Sequence, residues 1–283
     1  TTPKTFILDI IKSWLLIGVL GGAALYGIIW FFESTGEWAW LYCWIGITAF
    51  QLLLAFVAPV VIMPIFNKYI PLKKDELREE IENYAKSESF KMKGVYQMDG
   101  SRRSTKSNAY FSGFGRFRRI VLFDTLIEKH TTKELVSILA HEMGHYKKGH
   151  IWKSMVLSSL TFGLMFYVLS LFINNRELFN AFGMEETSVY ASLVFFGFLY
   201  GPIDTILSIF ANAYSRRNEY EADSYAVNTY GNPSAMIEAL KKLSVDNLSN
   251  LTPHPIKVFM SYSHPPVLER IRAIREFLSD GSP

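Results

Sequence analysis

Two histidines four residues apart, His141 and His145, stand with an acid beside the first of them, Glu142, in the run KELVSILAHEMGHYKKGH. Leu135, Ile138 and Leu139 recur there at helical spacing, so the run is expected to be a helix, and residues four apart on a helix share one face. The two imidazoles can therefore meet one Zn²⁺, while Glu142 can reach the attacking water as a general base. A hydrolytic zinc needs three protein ligands and one open position. The third ligand is expected from a second helical run, Asn218-Glu219-Tyr220-Glu221-Ala222-Asp223. Glu219 would complete a His₂Glu set holding one zinc per chain, the gluzincin pattern. Asp223, one turn further on, would accept the free ring N–H of a zinc histidine. Glu221 is turned about 200° from Glu219 and is the poorer ligand. His150 lies nine residues beyond His141 and is expected at a helix end, away from the metal. The single cysteine, Cys43, sits in an apolar run, which excludes both a disulfide framework and a cysteine zinc site.

The elements that must position these residues are dominated by membrane helices. The chain of 283 residues is 49% apolar and only 19% charged, below the roughly 25% usual for soluble proteins. A net charge of +3 gives no footprint for nucleic acid, and none is expected as a partner. Four stretches are long and apolar enough to cross a bilayer: Trp14 to Phe32, Trp38 to Phe66, Met155 to Ile173, and Val189 to about Tyr214. Pro59 and Pro64 are expected to kink or end the second. Asp204, inside the fourth, is expected to face protein or water. The connections Glu33 to Glu37 and Asn174 to Ser188 are short and acidic, whereas Asn67 to Lys153 carries 18 Lys plus Arg against 11 Asp plus Glu. Basic segments stay cytosolic, so the hydrophilic region and both termini are expected on that side. The expected organisation is two spans in 1–66, a metalloprotease region in 67–154, two spans in 155–214, and a third-ligand helix with a cytosolic region in 215–283. The chain opens on Thr1 with no signal pattern ahead of its first apolar run, and is expected to be an excerpt or a processed chain.

Within the hydrophilic region, Leu77, Ile81, Tyr84 and Ala85 give Lys73 to Ser89 the spacing of a surface helix. Gly94 to Met98 and Ile120 to Phe123 read as short strands. Between them, SRRSTKSNAYFSGFGRFRR is expected to form a hairpin or edge strand beside a substrate groove, with Asn108, Ala109 and Tyr110 at its centre, because an exposed edge binds an extended peptide through main-chain hydrogen bonds. Gly113 and Gly115 do not make a dinucleotide fingerprint. Further on, Pro233 to Leu243 and Pro266 to Phe277 read as helices, and LSNLTPHPIKVFMSYSHPP as an irregular, proline-marked loop.

HEMGH, followed by EYEAD with two spans between, resembles the integral-membrane zinc metallopeptidases of the CAAX prenyl protease 1 type. The similarity extends to SNAYFSGFGRFRRIVLFDTLIEKHTTKELVSILAHEMGHYKKGH, NAYSRRNEYEAD and SHPPVLERI, in that order, from Ser107 to Ile271 with gaps. The resemblance implies a polytopic, all-α dominated membrane protein whose helices surround a zincin-like, cytosol-facing metalloprotease domain with a small β-hairpin or sheet. It also implies a water-filled chamber and removal of the last three residues from prenylated C-terminal peptides. Members usually have seven spans where this sequence has four, and absent amino-terminal spans would agree with the missing initiator methionine. By resemblance, Asn108 and Ala109 hold the substrate backbone, and His264 and Arg270 project toward the zinc, where a cationic donor stabilises the oxyanion of the tetrahedral intermediate. The implied membrane is the endoplasmic reticulum in a eukaryote and the inner membrane in a bacterium, with a peptide or protein as partner and the oligomeric state open. A four-span, two-plus-two arrangement also resembles the quality-control protease HtpX, and a non-enzymatic membrane scaffold with a structural zinc is the remaining alternative.

Overall fold

The computed structural model describes residues 1–112, 118–173 and 175–279. In chain order the helices and strands are α1 (Pro3–Ser34), α2 (Gly36–Phe66), β1 (Tyr69–Pro71), α3 (Glu76–Ser87), β2 (Gly94–Met98), β3 (Ala109–Ser112), β4 (Arg119–Phe123) and α4 (Asp124–Lys129). They continue with α5 (Thr132–Lys147), α6 (His150–Phe172), α7 (Arg176–Ala181), α8 (Val189–Tyr230), α9 (Pro233–Asp246), α10 (Pro255–Ser261) and α11 (Val267–Ser279). Four of these, α1, α2, α6 and α8, are long and apolar enough to cross a membrane. The chain divides into two compact units.

The first unit runs from Thr2 to Ala55 and from Trp152 to Ser208. Its outer surface is apolar: Trp14, Tyr26 and Phe198 are at least 70% exposed, an arrangement that water would penalise and lipid favours. Its interior joins Phe32, Ala39, Cys43, Phe166, Leu169, Val189 and Phe196. Polar contacts pin α2 to α6: Trp44 Nε1 donates to the Ser159 carbonyl (2.8 Å), and Gln51 donates to Ser158 Oγ (3.2 Å). Gly163 lets the Trp44 ring lie where a Cβ would meet it at 2.9 Å. α1 begins at Pro3, well before the uncharged stretch, because Thr2 caps it by accepting from Thr5 N–H. Around Pro59 the second span loosens into a π-helical turn over Ala58–Ile62 and then ends at Asn67. Asp204 is exposed on α8.

The second unit holds Phe56 to Ile151 and the chain from Ile209 onward. A four-stranded sheet in the order β1-β2-β4-β3 forms one layer. β2 and β4 pair in parallel, Val95 opposite Ile120, while β3 runs antiparallel to β4 with Ala109 opposite Leu122, which leaves β3 at the edge. Leu77, Ile81, Tyr84 and Ala85 of α3 pack with Val95, Ile120, Leu122 and with Leu135, Ile138 and Leu139 of α5 in one core. β1, of three residues, is too short for its own sequence to mark as a strand. α5 starts in a capping box: Thr131 Oγ1 accepts from Glu134 N–H, and Glu134 accepts from Thr131 N–H (2.9 Å). Glu134 also accepts a hydrogen bond from Lys242 Nζ at 2.7 Å, tying α5 to α9. The proline-marked loop contains a helix, α10, because His254 caps it through Ile256 N–H and Pro255 occupies the first turn, where a missing N–H is harmless. α8 runs unbroken for 42 residues, past Tyr214, where the apolar stretch ends. The segment with Gly113 and Gly115 lies outside the described residues.

Candidate metal centre

α5 carries His141 and His145 on one face, and α8 brings Glu219 against them. His141 Nε2 and His145 Nε2 are 3.1 Å apart, and the Glu219 carboxylate oxygens lie 3.5 Å from the first and 3.3 Å from the second. Two atoms each about 2.05 Å from a tetrahedral zinc stand about 3.3 Å apart, so the three donors have the spacing of ligands to one ion. Among the described residues, these three form the group of His, Cys, Asp and Glu side chains able to hold a metal.

A layer of charge surrounds that triad. Asp223, one turn beyond Glu219, accepts from His141 Nδ1 at 2.8 Å, which turns the Nε2 lone pair toward the other donors. Arg270 of α11 grips Asp223 in a fork, Nε at 2.7 Å and Nη2 at 2.6 Å, and reaches Glu219 with Nη1 at 3.1 Å. Its guanidinium is thus spent on carboxylates behind the ligands. Burial would lower the His141 pKa, but hydrogen bonds to Asp223 and Glu219 outweigh it and raise the value to about 9 in the metal-free chain. Burial would likewise favour neutral Arg270, and the facing carboxylates hold it more firmly protonated than usual.

Glu142 makes no bond to this layer. It lines a cleft of about 580 Å³ in front of the triad, where burial pushes its carboxyl above the ordinary value. The cleft is lined by the start of β3, with Asn108 and Ala109, and by α9, with Met236, Leu240 and Leu243. At the open edge of β3, Ala109 N–H donates to the Asn108 side chain (2.9 Å). His264 stands at the cleft mouth, 66% exposed, its Nε2 3.4 Å from Glu219. Tyr110 is not in the cleft: successive strand residues alternate faces, and its hydroxyl meets that of Tyr69 at 3.0 Å. His150, which the sequence placed away from the metal, instead touches His145.

Residues 71–278 match the model of peptidase family M48. The chain belongs to peptidase family M48. Residues 1–68 match a second model, the CAAX prenyl protease N-terminal region with five membrane helices. The chain is 39% identical over 272 residues to a CAAX prenyl protease 1 homolog of Oryza sativa, covering 96% of this chain and 64% of that protein. It is 33% identical over 290 residues to CAAX prenyl protease 1 of Saccharomyces cerevisiae, again covering 96% of this chain and 64% of the relative. The chain therefore spans a little under two thirds of the length of these relatives. Its fold is similar to the crystal structure of S. mikatae Ste24p, with a TM-score of 0.90, 34% identity, and coverage of 96% of this chain and 67% of that one. With four membrane-crossing helices and this M48 kinship, it is an integral, multi-pass membrane protein.

Proposed function

We propose that this M48 chain is a membrane-embedded zinc metalloendopeptidase that removes the C-terminal tripeptide from prenylated CAAX substrates. The observation that carries the reading is the convergence of His141, His145 and Glu219 at ligand spacing, with Glu142 free beside them in a cleft walled by an edge strand. A zinc ion held by these three would supply Lewis acidity to the scissile carbonyl and to the attacking water, whose pKa such an ion lowers from about 15.7 toward about 7. The chain's own residues do the rest. Glu142 takes a proton from the attacking water and returns it to the leaving nitrogen. The open edge of β3 at Asn108 and Ala109 binds the substrate backbone as an added strand. His264 donates to the oxyanion from the cleft mouth, while Arg270 and Asp223 hold the ligands in place.

The apolar wall of α9 suits the aliphatic residues of such a tripeptide. The match of residues 1–68 to the prenyl protease model favours this reading over an HtpX-like quality-control protease. Three ligands with an intact Glu142, where a structural zinc takes four, favour an enzyme over a scaffold. The basic stretch from Asn67 to Lys153 supports a cytosolic orientation of the cleft, in the endoplasmic reticulum where the host is a eukaryote. The test is metal content and cleavage of a prenylated and an unprenylated CAAX peptide by detergent-purified chain, wild type beside Glu142→Gln. One zinc per chain, cleavage that depends on the prenyl group, and its loss in the variant are expected; cleavage retained by Glu142→Gln overturns the mechanism.

A further inference from the structure

His145 turns Nε2 toward the metal centre, and its other nitrogen leads away from it into a chain of three side chains. His145 Nδ1 lies 3.0 Å from His150 Nδ1, and His150 Nε2 lies 3.2 Å from Glu221 Oε2. The second oxygen of Glu221 accepts from Arg217 Nε at 3.0 Å. His150 is 3% exposed although it begins a membrane-crossing helix. The turn that delivers it there is Gly149, whose φ of +69° is the left-handed conformation glycine adopts without strain.

Hydrogen positions in this chain are fixed by elimination. A nitrogen that ligates a metal offers a lone pair, so His145 must carry its proton on Nδ1 and donate it. His150 Nδ1 must then be bare, which places the His150 proton on Nε2, aimed at an acceptor. Glu221 is that acceptor, and as a carboxylate it cannot donate to the wrong nitrogen. Without Glu221, His150 can move its proton to Nδ1, where it opposes the proton of His145 head-on.

We propose that His150 and Glu221 are positioning residues that hold His145 in the one tautomer able to bind the metal, matching on the second histidine what Asp223 does for the first. The inference rests on the reading of His141, His145 and Glu219 as the metal ligands. Its test measures zinc affinity by chelator competition on the detergent-purified full chain, with the apparent melting temperature of each metal-free variant as a check on folding. His150→Leu should weaken zinc binding on the order of 10- to 100-fold, the usual loss for a residue that orients a ligand. His150→Asn puts an amide oxygen close to the former Nδ1 and should restore affinity to within a few-fold, which a role in packing alone would not predict. Glu221→Leu should weaken binding when His150 is present and have no effect in the His150→Asn background, where there is no tautomer to select. Wild-type affinity in His150→Leu, or an equal effect of Glu221→Leu in both backgrounds, overturns the relay alone. Absence of zinc from the wild-type chain overturns the ligand assignment and the relay together.

Discussion

Gly144, between the two ligand histidines, is a close approach of α5 to α8, and replacing it with alanine sets two effects of known size against each other. A methyl group at this position would stand 3.0 Å from Ala222 Cα, 3.1 Å from the Ala222 carbonyl oxygen and 3.1 Å from Tyr225 Cβ. These are backbone atoms and the first carbon of a side chain, so no rotamer change relieves them. Comfortable contact begins near about 3.5 Å, so the two helices must part by about 0.4 Å. Inside a helix, alanine is better than glycine by about 0.5–1 kcal/mol. Overpacking a tight contact costs about 1–3 kcal/mol, so destabilisation is the expected sign, by up to about 2 kcal/mol. The metal is more sensitive still, because ligand distances tolerate only about 0.2 Å. Ala222 lies between Glu219 and Asp223, so parting the helices at this point draws both acids away from His141. Gly144→Ala should therefore lower zinc affinity on the order of tenfold and depress the apparent melting temperature, read by chelator competition and by a thermal melt with and without metal. Wild-type affinity together with an unchanged or raised melting temperature would mean that propensity wins and that this contact does not set the ligand spacing.

Glu142→Gln removes the proton carrier while leaving the three ligands, so turnover should fall by about 10²–10⁴-fold with zinc content unchanged, measured by peptide cleavage and metal analysis. Arg270→Ala removes the guanidinium that pairs with the buried Asp223 and Glu219, leaving His141 to face both acids, and should destabilise the metal-free chain by about 3–5 kcal/mol. Zinc should recover part of that loss by neutralising Glu219, seen as a wider gap between melting temperatures with and without metal than in wild type; an equal gap would contradict the account. Glu134 is 8% exposed, and although burial alone would raise its pKa, Lys242 and the Thr131 N–H lower it below the ordinary 4.5. A depressed carboxylate contributes stability above its unfolded value and loses it as pH falls through its folded value, so the contribution should fade below about pH 4.5. Glu134→Gln should accordingly be less stable at neutral pH and show a shallower acid limb in pH-dependent melting, while a limb as steep as wild type would refute the assignment.

The parts of this molecule written in local spacing were legible before any coordinates. Residues four apart share a helical face whatever the tertiary fold, so His141 with His145 and Glu219 with Asp223 announced themselves as pairs. Likewise, the absence of charge over bilayer length marks a span without reference to its neighbours. What depended on distant partners was hidden. β1 has three residues and exists because Tyr69 to Pro71 pair with Tyr96 to Met98, which no local pattern reports. The distance of His150 along the chain from His141 suggests another direction, yet the left-handed turn at Gly149 folds it back onto His145. The alternation of a strand could have separated Ala109 from Tyr110, but only once the face of β3 toward the cleft is known. α10 was masked by its prolines, which break helices in their interior and begin them at the first turn.

Glu219 and Asp223 ride on one helix at the same spacing as the histidines they meet, and this makes the centre indivisible. A rotation of α8 about its axis by a single residue, about 100°, would carry off the third ligand and the partner of the first histidine in one movement. Translation along the axis by one turn would set Asp223, the shorter acid, where the ligand belongs and leave His141 without its carboxylate partner. The orientation of one rod thus decides between a complete set of ligands and a pair of orphaned imidazoles. Any turn of this helix would therefore act on both acids at once.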